Sequence, residues 1–305
     1  MSGAGVLGAV GLACAKSASD GPVIGLALGS GAARGWAHLG VLQELAREGV
    51  TPQIITGCSI GAFVGAAAAS GDLDKLVRWA ETLKWQDVVS LLDVSLRGGL
   101  IKGQKLIDFF ERNFVDRDFT ELDQRFACVA TDLSTGREIW LHEGSVSAAV
   151  RASIALPGLM TPVLHGGRML VDGGLVNPVP VSLCRAMGAD VVIAVDLGSD
   201  MVGRAFRRSA VEPAPVEETE AGWTERLLAR FGFAAGDVDL PAVRAPGGAD
   251  VLPSLVSVIS SSINIMQVRI ARSRLAGEPA DLLIAPRVSQ LGLMDYHRAD
   301  EAIAE

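Results

Sequence analysis

Val23-Ile24-Gly25-Leu26-Ala27-Leu28-Gly29-Ser30-Gly31-Ala32-Ala33-Arg34-Gly35 is an apolar run that breaks into a glycine-rich loop. Residues 23–28 are apolar without alternation, as a strand is when both faces of a parallel sheet are covered. Residues 37–48 then carry Leu39, Leu42, Leu45 and Ala46 at helical spacing, and Gly49 closes the helix. Residues 53–56 read as a second short strand, 57–61 as a sharp turn, and 62–70 as a small-residue helix stopped by Gly71. Strand, loop, helix, strand, turn and helix open an α/β fold with a mostly parallel sheet.

Outward from there, 73–83 and 104–113 read as helices, 126–132 and 138–141 as strands, and 145–153 as a helix. A short strand over 169–171 ends on Asp172, and 191–196 reads as a buried strand. Composition shifts after Ser199: 204–208 is basic, 212–220 acidic and Pro-rich, 241–248 rich in Pro and Gly. We read 200–250 as an insertion or mobile excursion in one domain spanning 21–305. Inside it, Trp223, Leu227, Leu228 and Phe231 share one face of a short helix. A lid or interfacial contact over 222–233 is one reading; an apolar stripe is more often core, so a packed or disordered segment is preferred. Regular structure resumes at 252–275, where Leu255, Ile259, Ile263, Met266 and Ile270 form one apolar face, and 281–285 is a last strand.

The chain has 305 residues, is 49% hydrophobic and carries a net charge of −8. That charge argues against a nucleic-acid partner and against simple electrostatic docking on anionic lipid, so a lipid would be reached by apolar contact. Cys14, Cys58, Cys128 and Cys184 are scattered without a Cys-x-x-Cys pair or zinc spacing, which reads as reduced thiols in a cytoplasmic protein. No cofactor or metal is expected, and no calcium-ligand spacing is present. Residues 6–15 are apolar and end near Cys14, but no Lys or Arg precedes them, so 1–20 is expected to be a disordered tail rather than a leader. No later run reaches the ~18 apolar residues of a membrane span, so any membrane contact would be peripheral and transient.

Three pieces carry chemistry. Gly57-Cys58-Ser59-Ile60-Gly61 matches Gly-x-Ser-x-Gly, a strained strand-to-helix turn that exposes a serine hydroxyl at a helix N-terminus. Alone it is weak, since a structural turn can have the same residues. Gly29–Gly35 offers backbone N–H groups to an anion, either a phosphate or the oxyanion of an acyl intermediate. The Rossmann spacing fails by one residue, and a Walker Gly-Lys-Ser/Thr is absent. The oxyanion reading is therefore preferred, with Gly29, Ser30, Gly31, Ala32, Ala33, Arg34 and Gly35 as its loop. The third piece is Asp172-Gly173-Gly174, an acid at a strand end; taken alone it reads more readily as an Asx turn. Among His38, His142, His165 and His297, only His297 keeps the order Ser, Asp, His of an α/β-hydrolase triad.

In this order the pieces resemble the patatin-like phospholipase family, in the bacterial branch related to the catalytic domain of neuropathy target esterase. The resemblance extends to Ala130-Thr131-Asp132-Leu133, Ala149-Val150-Arg151-Ala152-Ser153, Leu156-Pro157-Gly158 and Val171-Asp172-Gly173-Gly174-Leu175-Val176-Asn177-Pro178. It implies a three-layer α/β/α domain and a serine acyl-ester hydrolase acting on lipid esters. It also implies Ser59 as nucleophile, Asp172 as base, and an oxyanion hole of backbone around Gly31, Ala32 and Arg34. Gly57, Gly61, Gly173 and Gly174 support these motifs. Ser30 and Ala32 stand where other members have glycine. An ordinary esterase using His297, and a non-catalytic lipid- or partner-binding regulator, are the alternatives.

Overall fold

The computed structural model describes residues 21–90, 102–113, 117–199 and 255–305. The expected tail at 1–20, the excursion at 200–250 and the stripe at 222–233 lie outside the described residues.

Eight strands form one sheet in the order β5-β6-β3-β2-β1-β7-β8, with β4 also paired to β3. They are β1 (Ile24–Leu28), β2 (Ile54–Cys58), β3 (Arg125–Asp132), β4 (Glu138–Leu141), β5 (Val163–His165), β6 (Arg168–Asp172), β7 (Val191–Val195) and β8 (Leu282–Ile284). β3, β2, β1, β7 and β8 run parallel; β4 and β6 are antiparallel to β3, and β5 is antiparallel to β6. The sheet is mostly parallel, as expected.

Strand alternation feeds two cores. Leu26 and Leu28 of β1, Ile55 of β2 and Ile193 and Val195 of β7 face the larger one. Ala27, Ile54, Val192 and Ala194 face the other. Both faces are covered, so these strands read as continuous apolar runs. The larger core is closed by α1 (Ala37–Arg47), α2 (Ile60–Ala69), α3 (Leu73–Thr82), α5 (Gln104–Asn113) and α6 (Val146–Ser153), after a short α4 (Trp85–Ser90). The smaller is closed by α7 (Val181–Ala186) and α8 (Leu255–Gly277). A last helix, α9 (Ala299–Ile303), packs on α1.

The boundaries differ from expectation where they matter most. β2 continues through Gly57 and Cys58, and α2 begins at Ile60, so the turn between them is Ser59 alone. The loop after β1 is tightened by a 3-10 turn at Ala32–Trp36. On α8 the expected apolar face is rotated: Ile263 is buried, but Ile259 and Met266 are exposed, and Val268 and Ala271 take the inward positions. Among the described residues no helix is long and apolar enough to cross a membrane.

α2 approaches β1 so closely that a Cβ on Gly61 would overlap the Leu28 carbonyl oxygen. Gly61→Ala must push α2 off the sheet, an overpacking cost of about 1–3 kcal/mol. Urea denaturation should show the loss; an unchanged midpoint would contradict this packing.

Candidate active site

Ser59 sits at φ 56°, ψ −123°, and Ala32 at φ 51°; these are the non-glycine residues with positive φ among the described residues. Such backbone costs about 1–3 kcal/mol each and persists only where the surroundings over-determine it. Both lie at one place, the carboxyl ends of β1 and β2.

Strand register brings Ser59 and Asp172 together. Cys58, the last residue of β2, pairs with Val129 of β3, and Asp172, the last of β6, pairs with Ala130, the next residue of β3. Ser59 Oγ donates to Asp172 Oδ2 at 2.6 Å. The other carboxylate oxygen accepts the Gly174 N–H at 2.7 Å. Asp172 therefore makes the Asx turn and the serine contact at once. The Asp172 carbonyl accepts from Thr131 Oγ1 at 2.8 Å, and Gly173 packs so tightly on the Val129 carbonyl that no side chain fits there. Asp172 is 1% exposed. Burial pushes its pKa up to about 6, against the opposing pull of the Ser59 hydroxyl and the Gly174 N–H.

The loop Gly29–Gly35 lies beside the dyad, with most of its N–H groups already spent. Gly29 donates to Val195, Ser30 to Pro178, Ala33 to Leu293 and Arg34 to Gly31. Among the described residues the N–H groups of Gly31 and Ala32 have no acceptor, which leaves these two for an incoming anion. Arg34, expected among the donors, is instead a brace: its buried guanidinium gives Nε–H to the Leu291 carbonyl at 2.9 Å. Gly35 packs against Ile60. His38 is fully buried and its Nε2–H donates to the Gly29 carbonyl at 2.7 Å. Burial pushes its pKa down to about 4, so it stays a neutral donor that fixes the loop.

A cavity of about 120 Å³ leads from Ser59 and Ala32 into the larger core, walled by Trp36, Phe63, Trp79, Leu159 and Tyr296. Its walls are almost wholly apolar, fit for a hydrocarbon chain. Trp36 meets Trp79 and Tyr296 edge-on at 5.9 and 6.1 Å. Tyr296 is pushed up to about 12 by burial and the Asp172 charge, and so remains a neutral phenol.

The other histidines stand apart. His297 lies edge-on to Trp85 at 5.8 Å, and His142 and His165 line a separate cleft beside β4. Cys58, Cys128 and Cys184 are free and buried, with their thiols pushed up by burial.

A family model for patatin-like phospholipase matches residues 26–185, more than half of the chain. The chain belongs to the patatin-like phospholipase family. This puts it in the lipid-hydrolase class, and the matched stretch contains Ser59, Asp172 and the Gly29–Gly35 loop. An uncharacterized NTE family protein of Mycobacterium bovis is 36% identical over a 329-residue alignment covering 94% of this chain and 89% of that protein. A lysophospholipase of Emericella nidulans is 34% identical over 187 residues, 59% of this chain and 12% of that protein. VipD of Legionella pneumophila, a solved structure, aligns with a TM-score of 0.46 at 16% identity, over 61% of this chain and 52% of its own.

Ser153 closes the stretch 149–153 that resembles the family. It is fully buried at the end of α6, accepts the Ser59 N–H at 2.9 Å and donates to the Val129 carbonyl at 2.7 Å. It ties the strained turn to β3. Ser153→Ala should leave both groups unpaired, lowering stability by about 1–3 kcal/mol and kcat by about tenfold with little change in KM. Steady-state kinetics on a short soluble ester beside a thermal melt would check this; an unaltered kcat would remove Ser153 from any positioning role.

Proposed function

We propose that this patatin-like protein is a serine acyl-ester hydrolase of lipids that works through a Ser59–Asp172 dyad and an acyl-enzyme. The observation that carries the reading is the 2.6 Å contact between Ser59 Oγ and a buried Asp172 carboxylate at the head of an apolar cavity. The acyl chain of the substrate occupies the cavity, and its carbonyl carbon lies over Ser59.

Asp172 takes the Ser59 proton as Oγ forms a bond to the acyl carbon. The carbonyl oxygen becomes an oxyanion facing the Gly31 and Ala32 N–H groups. The tetrahedral intermediate collapses, the bond to the leaving alcohol or lysolipid breaks, and Asp172 returns the proton to its oxygen. Water then attacks the acyl-Ser59 ester with Asp172 again as base, releasing a fatty acid. A base near pKa 6 is ionised at neutral pH yet more proton-hungry than an ordinary carboxylate, which suits both half-reactions. The physiological setting that fits is lipid catabolism or membrane lipid turnover.

His297 does not enter this scheme: among the described residues it makes no hydrogen bond to Ser59 or Asp172. A purely binding role leaves unexplained why a strained serine is aimed at a buried carboxylate.

Ser59→Ala and Asp172→Asn should each lower kcat by at least about 10³-fold while the protein still melts cooperatively. For wild type, kcat/KM should be flat above pH ~7 and fall about tenfold per pH unit below about 6. The sign follows from the base having to be ionised: acid protonates Asp172 and removes it. His297→Gln should keep both activity and the profile. Loss of turnover in a folded His297→Gln protein would hand the base role to histidine.

A further inference from the structure

α8 turns one side to the active-site loops and the other to solvent. On the inner side, Asn264 accepts from Arg34 Nη1 and Gln267 from Ser30 Oγ, while Ile263, Val268 and Ala271 are buried. On the outer side, Ile265 and Met266 are 62% and 50% exposed, and Val258 and Ile259 are exposed with them. At about 100° per residue, these four large apolar side chains fall within an arc of about 120°. Exposed Arg269 lies inside that arc one turn further on, and exposed Arg272, whose Nη2 donates to the Ser199 carbonyl, lies at its margin. From Leu255 to Gly277 the helix contains no acidic residue, in a chain with 35 acids against 27 lysines and arginines.

The arc also reaches the substrate cavity. A Cβ on Gly158 would touch Ile259 at 3.4 Å, and Gly158 lies in the turn whose Leu156, Leu159 and Met160 line the cavity below. An apolar arc of this size beside cations is the composition of a helix lying flat in a bilayer interface.

We propose that the outer face of α8 is the surface by which this protein docks on an anionic lipid bilayer, with the mouth of the Ser59 cavity held against it. This rests on the reading of the protein as a lipid hydrolase. Val258, Ile259, Ile265 and Met266 enter the boundary between headgroups and acyl chains, while the Arg269 guanidinium, with the remaining donors of Arg272, pairs with lipid phosphates. The net charge of −8 opposes an anionic surface as a whole, so the acid-free helix supplies a local attraction against that background. The docked face delivers a lipid along the Ile259–Gly158 contact into an apolar cavity, and no charged headgroup has to be buried.

The test is vesicle flotation of the full chain. Phosphatidylcholine vesicles containing phosphatidylglycerol are compared with phosphatidylcholine alone. Wild type and Ser59→Ala should bind the mixed vesicles equally. Ile265→Ser with Met266→Ser should weaken binding by about tenfold or more, since two apolar side chains no longer enter the interface. Arg269→Gln should reduce the preference for the mixed vesicles. Turnover of a short soluble ester should stay within about twofold of wild type in both, because these side chains are exposed and do not line the Ser59 cavity. Absence of wild-type binding, or equal binding by the double variant, would overturn the proposal. So would a double variant that changes oligomeric state while binding vesicles normally, since the face would then join two copies of the chain. Failure of the hydrolase reading would show separately, as retained turnover in Ser59→Ala.

Discussion

The site depends on holding one serine in a backbone conformation that serine avoids. At φ 56°, ψ −123°, Ser59 is the whole of the connection between β2 and α2. The strain is sustained from both ends. β2 is locked to β1 and β3 up to its last residues, and α2 is drawn onto β1 through Gly61. Ser153 then holds the Ser59 N–H. With every backbone degree of freedom taken up, the hydroxyl projects at the N-terminus of α2, where the helix dipole favours a developing negative charge.

β3 is the ruler for this arrangement. Val129 pairs with Cys58, accepts from Ser153 and receives the close packing of Gly173, while the adjoining Ala130 pairs with Asp172. Two successive residues of one strand therefore set Ser59, its clamp and the Asp172 carboxylate. The same closeness buries Asp172 and raises its pKa, so the geometry that aligns Asp172 with Ser59 also adjusts its basicity. Gly29, Ser30, Ala33 and Arg34 are bonded to four different carbonyls, which fixes the loop around the Gly31 and Ala32 N–H groups, for which no acceptor lies among the described residues.

Much of this was legible in the sequence. β1 and β7 read as buried strands because both cores claim their alternate residues, and Gly-x-Ser-x-Gly marked the turn by its flanking glycines. The rest depended on distant partners. β5 is three residues long with two glycines after it, too short for any periodicity to show. α8 is apolar on more than one side, so its pattern did not tell which side the sheet would take. Ser153 was one small residue in a motif until the fold set it between Ser59 and Val129, 94 and 24 positions away. Arg34 was expected to give its N–H to an oxyanion; the 3-10 turn directs that N–H to Gly31 instead. Tyr296 lay outside every motif and reaches the cavity through its contact with Trp36.

The most direct test of the central claim is where an acyl-like electrophile becomes attached. Wild-type protein treated with a long-chain fluorophosphonate, digested and mapped by mass spectrometry should carry one adduct, on the peptide containing Ser59. Asp172→Asn should react far more slowly at the same site. An adduct on another residue, or continued ester hydrolysis by protein fully labelled at Ser59, would contradict the account.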